Sequence, residues 1–143
     1  MTPEALSDLH TAAFAPERGW SAEEFRGLLS SPGMRLVTRE GAFLLGRAIA
    51  DEAEILTLAT APTARRQGLA RLILRDFIDI LRADGCARIF LEVARDNGPA
   101  RALYASEGFA RVGLRPGYFA RAGQPPVDAI VMERQIGAQA AGK

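Results

Sequence analysis

Apolar residues along this chain recur at two spacings, and the switches between them mark its elements. Near the start, Leu6, Leu9, Ala13 and Phe14 fall at helical spacing. They follow Thr2-Pro3-Glu4, which reads as an N-cap, a first-turn proline and a first-turn acid. "SAEE" over Ser21 to Glu24 has capping-box form and opens a second short helix carrying Phe25, Leu28 and Leu29. Pro32-Gly33 ends it. The period then shortens. Met34, Leu36 and Val37 predict a strand, "AFLLGRAIA" a second and "AEILTLAT" a third, with turns at Glu40-Gly41 and Asp51-Glu52. Leu69, Leu72, Ile73, Phe77, Ile80 and Leu81 predict one continuous helical stripe, stopped at Asp84-Gly85. "ARIFLEV" reads as a buried strand. "DNGPARALYASEGF" reads as a capped helix ending at Gly108, and "ARVGL" and "AIVMERQI" as two closing strands. Between those strands "RPGYFARAGQPPVD" reads as a Gly/Pro-rich connection.

This order predicts an α/β (α+β) layered fold with a mixed central sheet flanked by helices. With 143 residues, no internal repeat and no linker-like stretch, residues 1–136 read as one domain and 137–143 as a flexible tail. The 48% apolar content argues against disorder, and the net charge of +1 against a global field for nucleic acid. No apolar run approaches the ~20 residues of a membrane span, and the first ten residues lack an apolar signal core. The single cysteine, Cys86, reads as a buried structural thiol and His10 as structural; no metal-ligand spacing is present. A cytoplasmic protein with no nucleic-acid or membrane partner is expected, with a monomer favoured.

Chemistry enters with "LATAPTARRQGLARLIL", Leu58 to Leu74, where a strand breaks into a helix through a short basic loop. A helix start presents unpaired N–H groups and the positive end of a dipole, so it accepts anions such as phosphates. Gly68 allows close backbone approach, and Arg65, Arg66 and Arg71 add charged donors. A capped helix with a solvated basic turn is an equally good reading of the Arg/Gly pattern alone. The loop lacks the G-K-[ST] of a Walker motif and is not G-x-G-x-x-G.

Arg65-Arg66-Gln67-Gly68-Leu69-Ala70 resembles the Q/R-x-x-G-x-G/A signature of the GNAT N-acetyltransferase superfamily, which cradles the pyrophosphate of acetyl-CoA. "DEAEILTLAT", "IFLEVARDN", "ARALYASEGF", "GYF" and "DAIVME" follow the order of its RimI-type branch, over roughly Trp20 to Glu133. That branch acetylates the N-terminal alanine of a small-subunit ribosomal protein. The family usually opens on a strand, whereas this sequence reads as opening directly on a helix.

The resemblance implies a fold whose sheet splays into an acetyl-CoA cleft, with Leu58, Ala59 and Thr60 supplying backbone to the pantetheine arm. It implies that Asn97 contacts the cofactor and that Tyr104 protonates the departing thiolate. It makes Glu92 the proton acceptor, with Glu54 the rival on the earlier strand, and Trp20 and Tyr118 walls of the acceptor groove. From the residues alone each has a plainer alternative. A strand carboxylate such as Glu92 can be a structural salt bridge to an arginine, Asn97 an N-cap, Tyr104 core, and Trp20 a helix staple. Two further functions stay open: acetylation of a lysine side chain or small-molecule amine, and a non-catalytic acetyl-CoA-binding regulatory module.

Overall fold

The computed structural model describes residues 1–137. The expected flexible tail lies, from residue 138 on, outside the described residues. The elements run α1 (Pro3–Phe14), α2 (Ala22–Leu29), β1 (Met34–Arg39), β2 (Ala42–Ile49), β3 (Glu52–Thr60), a short 3-10 turn (Pro62–Ala64), α3 (Leu69–Ala83), β4 (Arg88–Ala94), α4 (Gly98–Ser106), β5 (Ala110–Arg121) and β6 (Gln124–Gln135). Both early caps form as their residue types dictate. Thr2 Oγ1 accepts from Ala5 N at 3.0 Å, and Ser21 and Glu24 close a reciprocal capping box.

The six strands form one sheet in the order β1-β2-β3-β4-β6-β5. Among the described residues only β3 and β4 pair in parallel; the other neighbours are antiparallel. The helix α3 joins the parallel pair, as a parallel connection requires. Two apolar clusters sit on the two faces. The larger holds Leu44, Ile55, Ile73, Phe77, Leu81, Leu91, Tyr104 and Ile130 under α3 and α4. The smaller holds Leu6, Phe25, Phe43, Leu45 and Ala59 under α1 and α2. Among the described residues no helix is long and apolar enough to cross a membrane.

Two sequence expectations need correction. The buried face of α3 is Ile73, Leu74, Phe77, Ile78 and Leu81, while Leu72 and Ile80 are 41% and 40% exposed. The i, i+4 row was read correctly, but the stripe lies about one residue round the helix from the expected position. The Gly/Pro-rich stretch after Leu114 is also not a loose connection. It forms the outer halves of two 12-residue strands that turn at Ala122-Gly123. The prolines are tolerated because β5 is an edge strand and because β6 pairs with β4 only from Ala129 onward. Three register shifts along β5 absorb the remaining irregularity.

Candidate active site

The parallel pair parts partway along its length. β3 and β4 are in register from Glu52↔Arg88 to Ile55↔Leu91, yet β3 continues to Thr60 and β4 to Ala94. A bulge starts the divergence. Leu45 pairs Thr57 and Gly46 pairs Ile55, so Leu56 has no opposite number on β2. The extra residue turns β3 with β2, while β4 stays in register with β6 as far as Ala94↔Ala129. It also swaps faces: Ala53 and Ile55 belong to the α3-side core, but Ala59 is buried against the α1/α2 cluster. Past Ile55 the facing backbone edges have no strand between them, which leaves donors and acceptors for another molecule.

A cavity of about 910 Å³ opens at this parting, lined by Ile55 to Leu58 of β3 and Leu91 to Ala94 of β4. His10, Phe14 and Trp20 wall it on the α1 side, and Asn97, Ala100 and Tyr104 on the α4 side. The tip of the β5–β6 hairpin reaches over it with Phe119, Ala120, Arg121 and Ala122. Two ties hold the tip in place. Ala122 N donates to Glu17 Oε2 at 3.0 Å, and Arg121 grips Asp96 through Nη2 at 2.7 Å and Nε at 3.2 Å.

The loop after β3 leaves the start of α3 open. Arg66 and Gly68 both adopt left-handed backbone, at φ 64° and 75°. Gly68 is the N-cap of α3 and no side chain caps the helix, so its first N–H groups are free for a ligand. A Cβ on Gly68 would meet nothing within 4 Å, so the space above the helix start is open. The arginines do not act together. Arg65 Nη2 donates to Ala13 O at 2.7 Å, tying the loop to α1. Arg71 lies 2.5 Å from Glu107 and 2.9 Å from Ser106 Oγ, joining α3 to the end of α4, where Arg75 also holds Glu107. Only Arg66, of the three, makes no ion pair or side-chain hydrogen bond among the described residues.

Glu92 points away from the buried Leu91 and Val93, toward the α1 side of the sheet, with its side chain 14% exposed. Arg115 Nε lies 2.5 Å from its Oε2, so the salt-bridge alternative describes this carboxylate as it stands. Tyr118 is 49% exposed; the charge of Glu92 beside its hydroxyl pushes its pKa up, and the Arg115 guanidinium sits 5.3 Å from its ring. Tyr104 is buried against Phe109 and lines the cavity, and burial pushes its hydroxyl pKa up, which keeps the proton on. Glu54 is elsewhere. It faces Arg47 at 3.5 Å and borders a smaller groove with Arg47, Ile49, Glu52 and Phe90.

Of the residues singled out from sequence, the cavity gathers Trp20, Leu58, Glu92, Asn97 and Tyr104. Gln67, Gly68, Leu69 and Ala70 lie at the helix start, and Ala59, Thr60, Glu54 and Tyr118 lie outside the cavity wall. Several plain roles hold alongside. Asn97 Oδ1 accepts from Ala100 N at 3.2 Å as an N-cap, and Trp20 meets Phe25 at 5.6 Å across the N-cap as a staple. Cys86 is buried, which raises its thiol pKa. Sequence reading missed Leu56, Thr57 and Arg115. Nothing local marks a bulge at Leu56, and Arg115 reaches Glu92 only through the shifted register of β5.

Residues 5–109 match the model of the Acetyltransferase (GNAT) family, so the chain belongs to that family and is an N-acetyltransferase. It is 34% identical to N-alpha-acetyltransferase RimI of Mycobacterium tuberculosis, over 94% of this chain and 87% of that protein. It is 35% identical to the [Ribosomal protein bS18]-alanine N-acetyltransferase of Salmonella typhimurium, over 82% of this chain and 81% of that one. The crystal structure of the ribosomal-protein-S18-alanine N-acetyltransferase from Escherichia coli superposes with a TM-score of 0.85 at 31% identity, covering 94% of this chain and 88% of that chain.

Proposed function

We propose that this chain transfers acetyl from acetyl-CoA to the N-terminal α-amine of a protein, with the alanine of a small-subunit ribosomal protein as its acceptor. The observation that carries the reading is one cavity, opening at the β3–β4 parting, that holds both Glu92 and Tyr104. The relatives named for N-terminal alanine acetylation supply the acceptor. Residues 1–136 act as a single catalytic unit.

Acetyl-CoA supplies a thioester activated toward amines. The N–H groups from Arg66 to Arg71, at the end of α3 that no side chain caps, would hold its pyrophosphate. The edge of β3 from Leu58 to Thr60 bonds the pantetheine arm, and an N–H of that strand stabilises the oxyanion. Asn97 flanks the arm. Glu92 takes the proton of the acceptor ammonium, directly or through water, and the freed lone pair attacks the carbonyl carbon. The C–N bond forms, the C–S bond breaks, the departing sulfur takes the Tyr104 proton, and the second proton of the attacking nitrogen, lost as the amide forms, returns through water to the Tyr104 oxygen. The raised Tyr104 pKa keeps the phenol protonated until a thiolate, itself disfavoured by burial, forms beside it. Trp20 and Tyr118 flank the acceptor, and Glu54, paired with Arg47, has the lesser part.

An α-amine has a pKa near 8 and a lysine near 10.4, so at neutral pH roughly 10% of the former is already neutral. A carboxylate base therefore completes the first deprotonation more easily. The test offers acetyl-CoA with alanine-starting peptides, the same peptides with blocked termini, blocked peptides with internal lysine, and small amines. Mass spectrometry should find acetyl on the free terminus only. Faster acetylation of internal lysine or of a small amine moves the protein to that acceptor class. Binding of acetyl-CoA with no transfer to any amine makes it a binding module.

A further inference from the structure

His10 joins the two halves of the cavity through a single ring. It lies on α1, 4% exposed. Trp20 N donates to its Nδ1 at 3.0 Å, so the proton of the neutral ring is on Nε2. Nε2 in turn donates to Thr57 Oγ1 at 3.0 Å. The imidazole stacks on the Trp20 indole, centroids 4.7 Å apart and planes within 23°, and meets Phe14 at 4.6 Å. Thr57 is the residue after the bulged Leu56, where β3 leaves β4. His10, Trp20 and Thr57 all line the cavity.

We propose that His10 is a positioning residue for acetyl transfer: its neutral ring locks Trp20, the wall of the acceptor site, to Thr57, on the strand edge that holds the acetyl group. The proposal rests on the acetyl-transfer reading above. The two reactants approach from walls built on different elements, α1–α2 and β3, and the ring is a rigid spacer with an acceptor on one side and a donor on the other. Placement matters steeply in such a site, since a shift of about 1 Å between reactants costs on the order of 10²-fold in rate. A ring that only filled space would do as well as phenylalanine, and the two hydrogen bonds would have no kinetic consequence.

The experiment compares His10→Phe, His10→Gln, Thr57→Val and Thr57→Ser. It measures kcat, KM for an alanine-starting peptide, coenzyme A affinity by calorimetry, and Tm, with assays run well below each melting point. Thr57→Val and His10→Phe should lower kcat by about 10- to 100-fold. Coenzyme A affinity should stay within about threefold. Thr57→Ser, which keeps the hydroxyl, should stay near wild type, and His10→Gln, which keeps a donor and an acceptor, should recover part of the loss. The double variant His10→Phe/Thr57→Val should be no slower than His10→Phe, because both break the same tie. Wild-type kcat in folded Thr57→Val, or losses that multiply in the double variant, would overturn the role; Thr57→Val decides even if His10→Phe fails to fold. If the wild-type protein binds coenzyme A yet acetylates no amine, the acetyl-transfer reading fails instead, and the positioning role falls with it.

Discussion

Arg115 Nε meets Glu92 Oε2 at 2.5 Å, a half-exposed guanidinium from the edge strand closing on a nearly buried carboxylate beside the cavity. An acceptor ammonium seeks the same oxygen. The pair must therefore open, or share, when the acceptor arrives. Arg115→Ala should lower KM for an alanine-starting peptide about two- to fivefold, the span of a partly exposed ion pair. Arg115→Lys should stay near wild type. An unchanged or raised KM in Arg115→Ala would mean that the ammonium does not compete for that oxygen.

Glu92→Gln and Tyr104→Phe should each lower kcat by roughly 10²–10⁴-fold and leave coenzyme A affinity nearly intact. Each removes a proton transfer and little volume. Glu54→Gln should cost far less, because Glu54 is paired with Arg47 and lies outside the cavity wall that holds Tyr104. Steady-state kinetics with calorimetry on the three variants tests the ranking, and a larger loss for Glu54→Gln reverses the assignment of the base.

Gly68→Val should weaken coenzyme A binding by at least tenfold. Gly68 sits at φ 75°, which a β-branched residue resists, so Tm should fall as well. Nothing among the described residues meets a Cβ there, so the new methyl groups fill the space above the helix start without a clash. Calorimetry well below the melting temperature reads the binding. Unchanged affinity would remove the pyrophosphate from this loop.

His10 also predicts a pH dependence of stability. Burial, with Arg18 assisting and Glu24 opposing, lowers its pKa from 6.5 to about 4. Between those values the unfolded chain binds a proton that the folded protein does not. Stability therefore falls as pH drops from about 6.5 to about 4, by roughly 3 kcal/mol for this group, and the contribution is flat below that window. Glu24, lowered from 4.5 to about 2 chiefly by the Arg18 hydrogen bond, begins to lose its own contribution at about 4.5, so its part falls mostly below that window. Urea unfolding across this pH range should show a steeper loss in wild type than in His10→Gln; parallel profiles would contradict a buried neutral imidazole.

Local chemistry determined much of this protein. The Thr2 cap, the Ser21–Glu24 capping box, the Asn97 cap and the period changes at Met34 and Leu69 are settled by neighbouring residues, so they are readable along the chain. The basic loop before α3 and the placing of Glu92 on β4 and Tyr104 on α4 were legible because each lies in a contiguous stretch. Tertiary structure decided the rest. Whether β3 and β4 stay together depends on which neighbour each follows after Ile55, and that turns on an unmatched Leu56 with no signal of its own. The long β5–β6 hairpin was hidden because prolines are excluded from strands paired on both sides but not from edges or singly paired ends, and only the strand order and register say which is which. The same holds for His10–Thr57 and Glu92–Arg115, 47 and 23 residues apart in sequence. A hydrogen bond or ion pair across such distances is fixed by packing and register, which no local pattern records.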